Sequence, residues 1–337
     1  MKKRTTGVIC TLLSLALTGY LLADTFLLRS AYQTDAASDT AAAFAAAESN
    51  LGSGGENAAA TSSEVNGGHG KKHMHSGKSQ LTDKTSADTD AEAASVSDTA
   101  DYTSDDISIT LEEYTVENTQ VYVADVTVSS AAWLKTAFAE NTYGRNITAT
   151  TSEMAEENGA ILAINGDYYG AQETGYVIRN GVVYRDTAKT AAEICCIYAD
   201  GTMQIKNTEE VTAQELVDEG VWQAFSFGPA LIVDGEIAVT EGEEVGKAMA
   251  SNPRTAIGVI DANHYVFVVS DGRTEESEGL SLSELAAFMQ SLGVKTAYNL
   301  DGGGSSTLWY QGSVINKPTT SGNSIKERSV SDIVYIG

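Results

Sequence analysis

A strand-rich α+β fold is what the 337-residue sequence predicts: a mixed sheet with two or three packed helices, preceded by a transmembrane anchor and a disordered linker. Three features carry this expectation. Alternating apolar and polar runs are broken by Asn-Gly and Asp-Gly pairs, as in hairpins. Two helical stretches have matching start and stop signals. Ahead of both, a basic flank and an apolar run give way to a long stretch of small polar residues.

In chain order, Lys2, Lys3 and Arg4 precede an almost uncharged run from Gly7 to Ala23, which Phe26 to Leu28 extend past Asp24. Its length approaches the roughly 20 residues that span a bilayer, and the basic flank would stay inside. No small-x-small cleavage site directly follows. Residues 1–29 are therefore expected to be an uncleaved anchor in the cell membrane, single-pass with an extracytoplasmic domain; a cleaved signal peptide and a secreted product are the alternative. Residues 30–103 carry almost no large apolar side chain and are expected to be disordered, since they bury too little surface to offset ordering entropy. His69, His73 and His75 fall there, and solvated histidines are the plainer reading than a metal site.

The remaining residues, 104–337, suit one large domain or two intimate ones, and are taken as one. DISITLEEYTV and TQVYVADVTVSS open it with strand alternation. GYVIRNGVVYR, EICCIYADGTMQIK and PALIVDGEIAV each turn on Asn-Gly or Asp-Gly. Cys195 and Cys196, adjacent in a strand, should face opposite ways and serve packing. One helix starts with Thr150 three residues before Glu153 and stops at Gly159; another starts with Ser281 before Glu284 and stops at Gly293. TAQELVDEG offers a third.

The two capped helices also begin an internal echo. Each leads through a glycine stop and a short apolar strand into Asn-x-Asp in a glycine turn: Asn165-Gly166-Asp167 and Asn299-Leu300-Asp301. Both strands are expected to end at one cleft, each delivering an amide and a carboxylate; chance similarity of short units is the competing reading. Asp271, in SDGR, is a third carboxylate at a strand end. An Asp-Gly pair is ordinarily a turn, but Asp301 is followed by Gly302, Gly303 and Gly304, more than a turn needs. Consecutive glycines let backbone N–H groups converge on an anion or a sugar oxygen, and Ser305 and Ser306 add hydroxyls. No Gly-x-x-x-x-Gly-Lys phosphate loop, Gly-x-Ser-x-Gly elbow or histidine cluster is present in this part.

A formal net charge of −25 argues against nucleic acid and anionic membrane surfaces as partners. An anionic substrate would need local arginines. Arg254, opening a strand in NPRTAIGV, and Arg328, preceding the last strand in KERSVSDIVYIG, can each offer a bidentate fork, although pairing with surface carboxylates is equally open.

AINGDYYG, NPRTAIGV, SDGR, the run from SEGLSLSELAAFMQ to NLDGGGSSTLWYQGSVINKPT, and ERSVSDIVYIG occur in the order seen in the phosphodiester glycosidase family. That family includes N-acetylglucosamine-1-phosphodiester alpha-N-acetylglucosaminidases and bacterial exopolysaccharide biosynthesis proteins. The chain resembles it from about Ala160 to Gly337, most specifically over Gly279 to Thr307; the family's NGGFF-like motif here reads NGDYYG. The resemblance implies hydrolysis of a sugar-1-phosphodiester in an extracellular or envelope glycan. It places Asp301 at the anomeric side, with Asp167 and Asp271 as further catalytic carboxylates and Arg254 and Arg328 on the phosphate. Gly302 to Gly304 and Ser305 would line the sugar site, Asn165 and Asn299 would orient hydroxyls, and Tyr168, Tyr169 and Trp309 would offer ring faces. No cofactor is required by this chemistry. Calcium on aspartate oxygens is conceivable, although no twelve-residue calcium loop occurs. The alternative is a non-catalytic module that binds an anionic envelope polysaccharide.

Overall fold

The computed structural model describes residues 29–34, 40–51, 95–190, 192–240, 251–320 and 324–337. Four helices occur among them: α1 (Thr40–Asn50), α2 (Thr151–Glu157), α3 (Ala213–Asp218) and α4 (Leu282–Ser291). The last three open with complete capping boxes, Thr150 with Glu153, Thr212 with Glu215 and Ser281 with Glu284. In each, a hydroxyl takes one of the first orphan N–H groups and the glutamate answers the cap's own amide. Gly159 and Gly293 follow α2 and α4 at φ +63° and +83°, the left-handed stop that glycine adopts freely.

Three sheets surround a shared core. The largest runs in the order Glu236–Ile237, Ala230–Val233, Thr296–Asn299, Arg254–Asp261, His264–Ser270, Thr119–Val128, Ile107–Val116, Ser95–Thr103. A second is Ser313–Val314, Leu308–Tyr310, Leu162–Asn165, Asp332–Ile336, Leu134–Phe138, and a third is Met203–Asn207, Glu193–Tyr198, Val221–Phe225, Val177–Arg179, Val182–Arg185. Strand alternation explains the layering. Leu162, Ile164, Cys195, Phe225, Phe267 and Tyr298 point into the common core, while Ala163, Cys196 and Ala256 point out beneath the helices. α4 covers the outer face of the large sheet through Leu285, Phe288 and Met289, α2 covers the second through Met154 and Ala155, and α3 the third through Leu216. The adjacent cysteines do face opposite ways, and both are free and buried.

The expected mixed sheet is corrected: each pairing between described strands of these three sheets is antiparallel. The physical reason lies in how the helical crossovers close. Leu134–Phe138 leads through α2 to Leu162–Asn165, and Asp332–Ile336 lies between the two, antiparallel to both. Likewise His264–Ser270 leads through α4 to Thr296–Asn299, with Arg254–Asp261 between them. The strands joined by each helix run the same way but never become hydrogen-bonded neighbours.

The reading of 30–103 as a linker is corrected for three stretches. Ser30–Thr34 pairs with Thr142–Arg145, and Ser95–Thr103 adds an edge strand to Ile107–Val116, so the folded part begins earlier than residue 104. α1 docks through Phe44, whose ring meets Trp222 edge-on at 4.9 Å, and through Ala47, which is buried. Composition averaged over a long window hides this, because alanine favours helix intrinsically and one aromatic anchor suffices to seat it. The expected anchor and His69, His73 and His75 lie outside the described residues, apart from Arg29. No helix among the described residues is long and apolar enough to cross a membrane.

Candidate active site

The internal echo is structural. Asn165 pairs with Ile333 and Asn299 with Ala256. The next residue then donates its N–H one step back along the central strand, Gly166 to Asp332 O at 2.9 Å and Leu300 to Thr255 O at 2.8 Å. Asp167 and Asp301 follow, and each bend ends in a short 3-10 turn, Tyr169–Ala171 or Gly303–Ser305. The two bends touch: the Asp301 N–H donates to Gly166 O at 3.2 Å, and Asn165 Nδ2 donates to Asp301 O at 2.6 Å.

Beside the second bend lies a cleft of about 210 Å³. Asn299, Asp301, Gly302 and Gly303 enter it from the end of Thr296–Asn299, and Asn252 and Arg254 from the start of Arg254–Asp261. Arg273 comes from the turn after His264–Ser270, Arg328 from the loop before the last strand, and Phe227 from the loop after Val221–Phe225. Asp301, Arg254, Arg328, Asn299, Gly302 and Gly303 thus come together from segments far apart in the chain.

Asp301 is 7% exposed. Burial pushes its carboxyl up, against the pull of Arg328 and the hydrogen bond from Ser305; the nearby Asp167 adds to the rise. Its two oxygens have different surroundings. Ser305 Oγ and Arg328 Nη2 both donate to Oδ2, at 2.5 and 3.1 Å. Oδ1 takes no partner among the described residues, and the side chain borders the cleft.

The arginines are held in different ways. Arg254 is buried, with Nε donating to Leu280 O at 2.8 Å and its amide donating to Ser270 Oγ at 2.9 Å. Arg328 also donates from Nε to Ser305 Oγ at 3.0 Å. Arg273, which sequence reasoning missed, donates from Nε and Nη2 to Asn252 Oδ1 at 3.2 and 2.9 Å. Burial, then Arg328 and Arg254, push its guanidinium down from its usual value. Its signal lies in SDGR, where the arginine stands two residues after the aspartate.

The triple glycine makes room more than it supplies donors. A Cβ on Gly302 would lie 2.8 Å from Pro253 O, and one on Gly303, at φ +62°, would lie 2.8 Å from Arg273 Nη2. The expected convergence of the glycine amides on an anion is corrected for one of them, Gly303, and the serine amides that follow are engaged as well. The Gly303 N–H donates to Pro253 O, and those of Ser305 and Ser306 to Gly302 O and Gly303 O. Gly304 packs against Thr319 and Thr320, while Ser305 and Ser306 are buried under the bend.

Other expected site residues have structural partners instead. Asn165 does not line the cleft: its Oδ1 accepts from Thr255 Oγ1 at 2.8 Å and the Thr307 N–H at 3.2 Å, so it ties both flanks of the glycine bend to the strand of Arg254. Asp167 is buried in an ion network, accepting from Arg179 Nη2 at 2.8 Å and the Ser226 N–H at 2.9 Å. Arg179 also donates to Asp332 from Nε and Nη2, at 3.0 and 2.8 Å. Asp271 accepts from the Lys317 N–H at 2.8 Å and Asn316 Nδ2 at 3.2 Å, pinning that loop. Trp309 is packed beneath α2, Tyr169 stacks on Tyr143, and the exposed Tyr168, at φ +66°, lies outside the cleft lining. Alternation decides Trp309: a strand residue facing the covering helix is core. Among the described residues, no group of three or more His, Cys, Asp or Glu is placed to hold a metal ion.

A family model described as phosphodiester glycosidase matches residues 158–337, which hold both bends and the whole cleft lining. The chain belongs to the phosphodiester glycosidase family. Among relatives of this glycosidase-family chain, the SPbeta prophage-derived uncharacterized protein YomE of Bacillus subtilis is 31% identical over 179 residues, covering 52% of this chain and 28% of that protein. The N-acetylglucosamine-1-phosphodiester alpha-N-acetylglucosaminidase of Bos taurus is 30% identical over 188 residues, covering 51% of this chain and 35% of that protein. The chain thus spans about a third of the curated relatives it matches. The catalytic domain of the zebrafish enzyme of the same name, solved auto-inhibited by its pro-peptide, superposes with a TM-score of 0.55 at 21% identity. That match covers 68% of this chain and 82% of the other, and shares the fold.

Proposed function

We propose that the cleft hydrolyses a sugar-1-phosphodiester of the GlcNAc-1-phosphodiester type in an extracytoplasmic glycan. Water adds at the anomeric carbon, the bond from that carbon to the phosphate oxygen breaks, and the products are the free sugar and a phosphomonoester of the aglycone. The observation that carries the reading is Asp301, with Oδ2 held by Ser305 and Arg328, lining a cleft that also receives Arg254 and Arg273.

The chemistry fits these groups. A glycosyl phosphate already has a stable leaving group, so a strong general acid is dispensable. In the transition state positive charge grows at the anomeric carbon and negative charge on the departing phosphate. A preoriented carboxylate oxygen stabilises the first or takes a proton from water, and fixed guanidinium groups stabilise the second. Family membership and the activity named for the bovine relative support the sugar and the linkage. The basic and apolar N-terminal stretch supports action outside the cytoplasm, tethered at the membrane or released from it.

The test is to incubate the full chain with a GlcNAc-1-phosphodiester and follow free GlcNAc and phosphomonoester, expected in equal amounts. Binding without release would make the protein a glycan-holding module. Equal release from a phosphate-free GlcNAc glycoside would make it an ordinary glycosidase.

A further inference from the structure

The cleft holds cations in unequal circumstances, and the inequality assigns them different work. Arg328 is already matched. Its Nη2 donates to Asp301 Oδ2 at 3.1 Å and to Gly302 O at 3.3 Å, and both Nε and Nη2 donate to Ser305 Oγ, at 3.0 and 2.5 Å. Its charge therefore sits against a carboxylate, with two of its three nitrogens engaged. To grip a phosphate with the fork of Nε and Nη2 it would have to leave Asp301 and Ser305, and the carboxylate would lose the donor that orients it; Nη1 remains for a single contact.

Arg273 is in the opposite condition. Its guanidinium donates to one neutral atom, Asn252 Oδ1, and no ion pair among the described residues includes it. Asn252 is itself buried, so this bracket fixes the guanidinium without neutralising it. The side chain springs from a backbone at φ +64°, a conformation an arginine adopts only where its surroundings demand it. Opposite it stands Gly303, whose missing Cβ leaves the Nη2 side clear. A partly dehydrated guanidinium held rigidly beside other cations is destabilised until an anion arrives, and then binds it strongly.

Resting on the glycosidase reading, we infer that Arg273, and not Arg328, is the side chain that takes the substrate's phosphate, while Arg328 acts as the positioning partner of Asp301. Arg254 lines the cleft under either assignment and does not distinguish them.

The test measures binding of inorganic phosphate to the full chain by titration calorimetry, with Arg273→Gln, Arg273→Lys and Arg328→Gln compared and each checked by thermal melting. Arg273→Gln is expected to weaken phosphate by at least about tenfold, the loss of a charge-assisted hydrogen bond. Arg273→Lys, which keeps the charge on a flexible stem, should recover part of that loss. Arg328→Gln should keep affinity within about threefold, well under one such bond. A loss in Arg328→Gln equal to that in Arg273→Gln would overturn the assignment, as would a wild-type chain that binds no phosphate in the millimolar range. Phosphate binding does not require turnover. Arg273-dependent binding with no sugar release therefore defeats only the proposed function, and sugar release with Arg328-dependent binding defeats only this inference.

Discussion

At the end of Leu162–Asn165 an asparagine, a spacer and an aspartate lead into the 3-10 turn Tyr169–Ala171; at the end of Thr296–Asn299 the same succession leads into Gly303–Ser305. The backbone bonds to the central strands are equivalent, yet the two carboxylates have different fates. Asp167 is 1% exposed and locked to Arg179, which also holds Asp332 and lies over the Phe225 ring at 4.5 Å. Asp301 lines a cleft, its Oδ2 held by Ser305 and Arg328. The residues immediately after each aspartate differ correspondingly: Tyr168, Tyr169 and Gly170 in the first bend, Gly302, Gly303 and Gly304 in the second. In one the space is filled by the chain's own cation and aromatic rings; in the other, glycines keep it clear. A carboxylate on this backbone becomes a structural or a reactive group according to what occupies the volume in front of it.

The contrast is most exposed to test at the filled bend. Arg179→Met would leave Asp167 and Asp332 as uncompensated buried carboxylates and is expected to cost about 3–5 kcal/mol of stability, read by denaturant unfolding. A loss below about 1 kcal/mol, the scale of an exposed pair, would mean the network is not structural. At the open bend the effect should fall on turnover. Asp301→Asn is expected to lower kcat/KM for a GlcNAc-1-phosphodiester by at least about a hundredfold, with Tm less affected than in Arg179→Met. Near-normal turnover would remove Asp301 from the chemistry. Gly303→Ala isolates the role of the glycines. The left-handed backbone costs about 1–2 kcal/mol for a residue with a Cβ, and the added methyl meets Arg273, so stability and phosphate affinity should fall together.

The smallest effect is a pH dependence. Burial pushes the Asp332 carboxyl up to about 7, with Arg179 opposing the rise and Asp167 adding to it. A folded-state value above the unfolded carboxyl near 4 means the folded protein binds the extra proton. Stability from this group is full below about pH 4 and is lost as pH rises through about 7. Asp301 and Asp271 are shifted the same way by burial. Wild type should therefore melt at a lower temperature at pH 8 than at pH 5, and Asp332→Asn should narrow the difference. An unchanged difference in that variant would assign the dependence to other groups.

Much of the site is legible in the amino-acid order. Asp301, Gly302 and Gly303 stand in a short stretch whose composition exceeds what a turn requires, and they meet Arg254 and Arg328 at the cleft. Asn165 is recognisable as special but not as a clamp, because nothing local shows that its amide will reach Thr255, Thr307 and Asp301. Asp167 looks like the twin of Asp301 until Arg179, one residue of a short strand, fills its surroundings. Trp309 and Asp271 mislead for a related reason: a side chain's type shows what it can do, and only its neighbours show whether it is free to do it.

The capped helices, the glycine stops, the Asn-Gly and Asp-Gly hairpins and the opposed cysteines are all written locally. Each follows from φ preferences, backbone hydrogen bonding or strand alternation over a few residues. Three outcomes needed the assembled fold: the antiparallel sheets, the packing of α1 on Trp222, and the sealing of one of two equivalent aspartates while the other stays open. They depend on charges and volumes brought together across long separations in the chain, as with Arg179 and Asp332, 153 residues apart. No local propensity encodes which partner will arrive there.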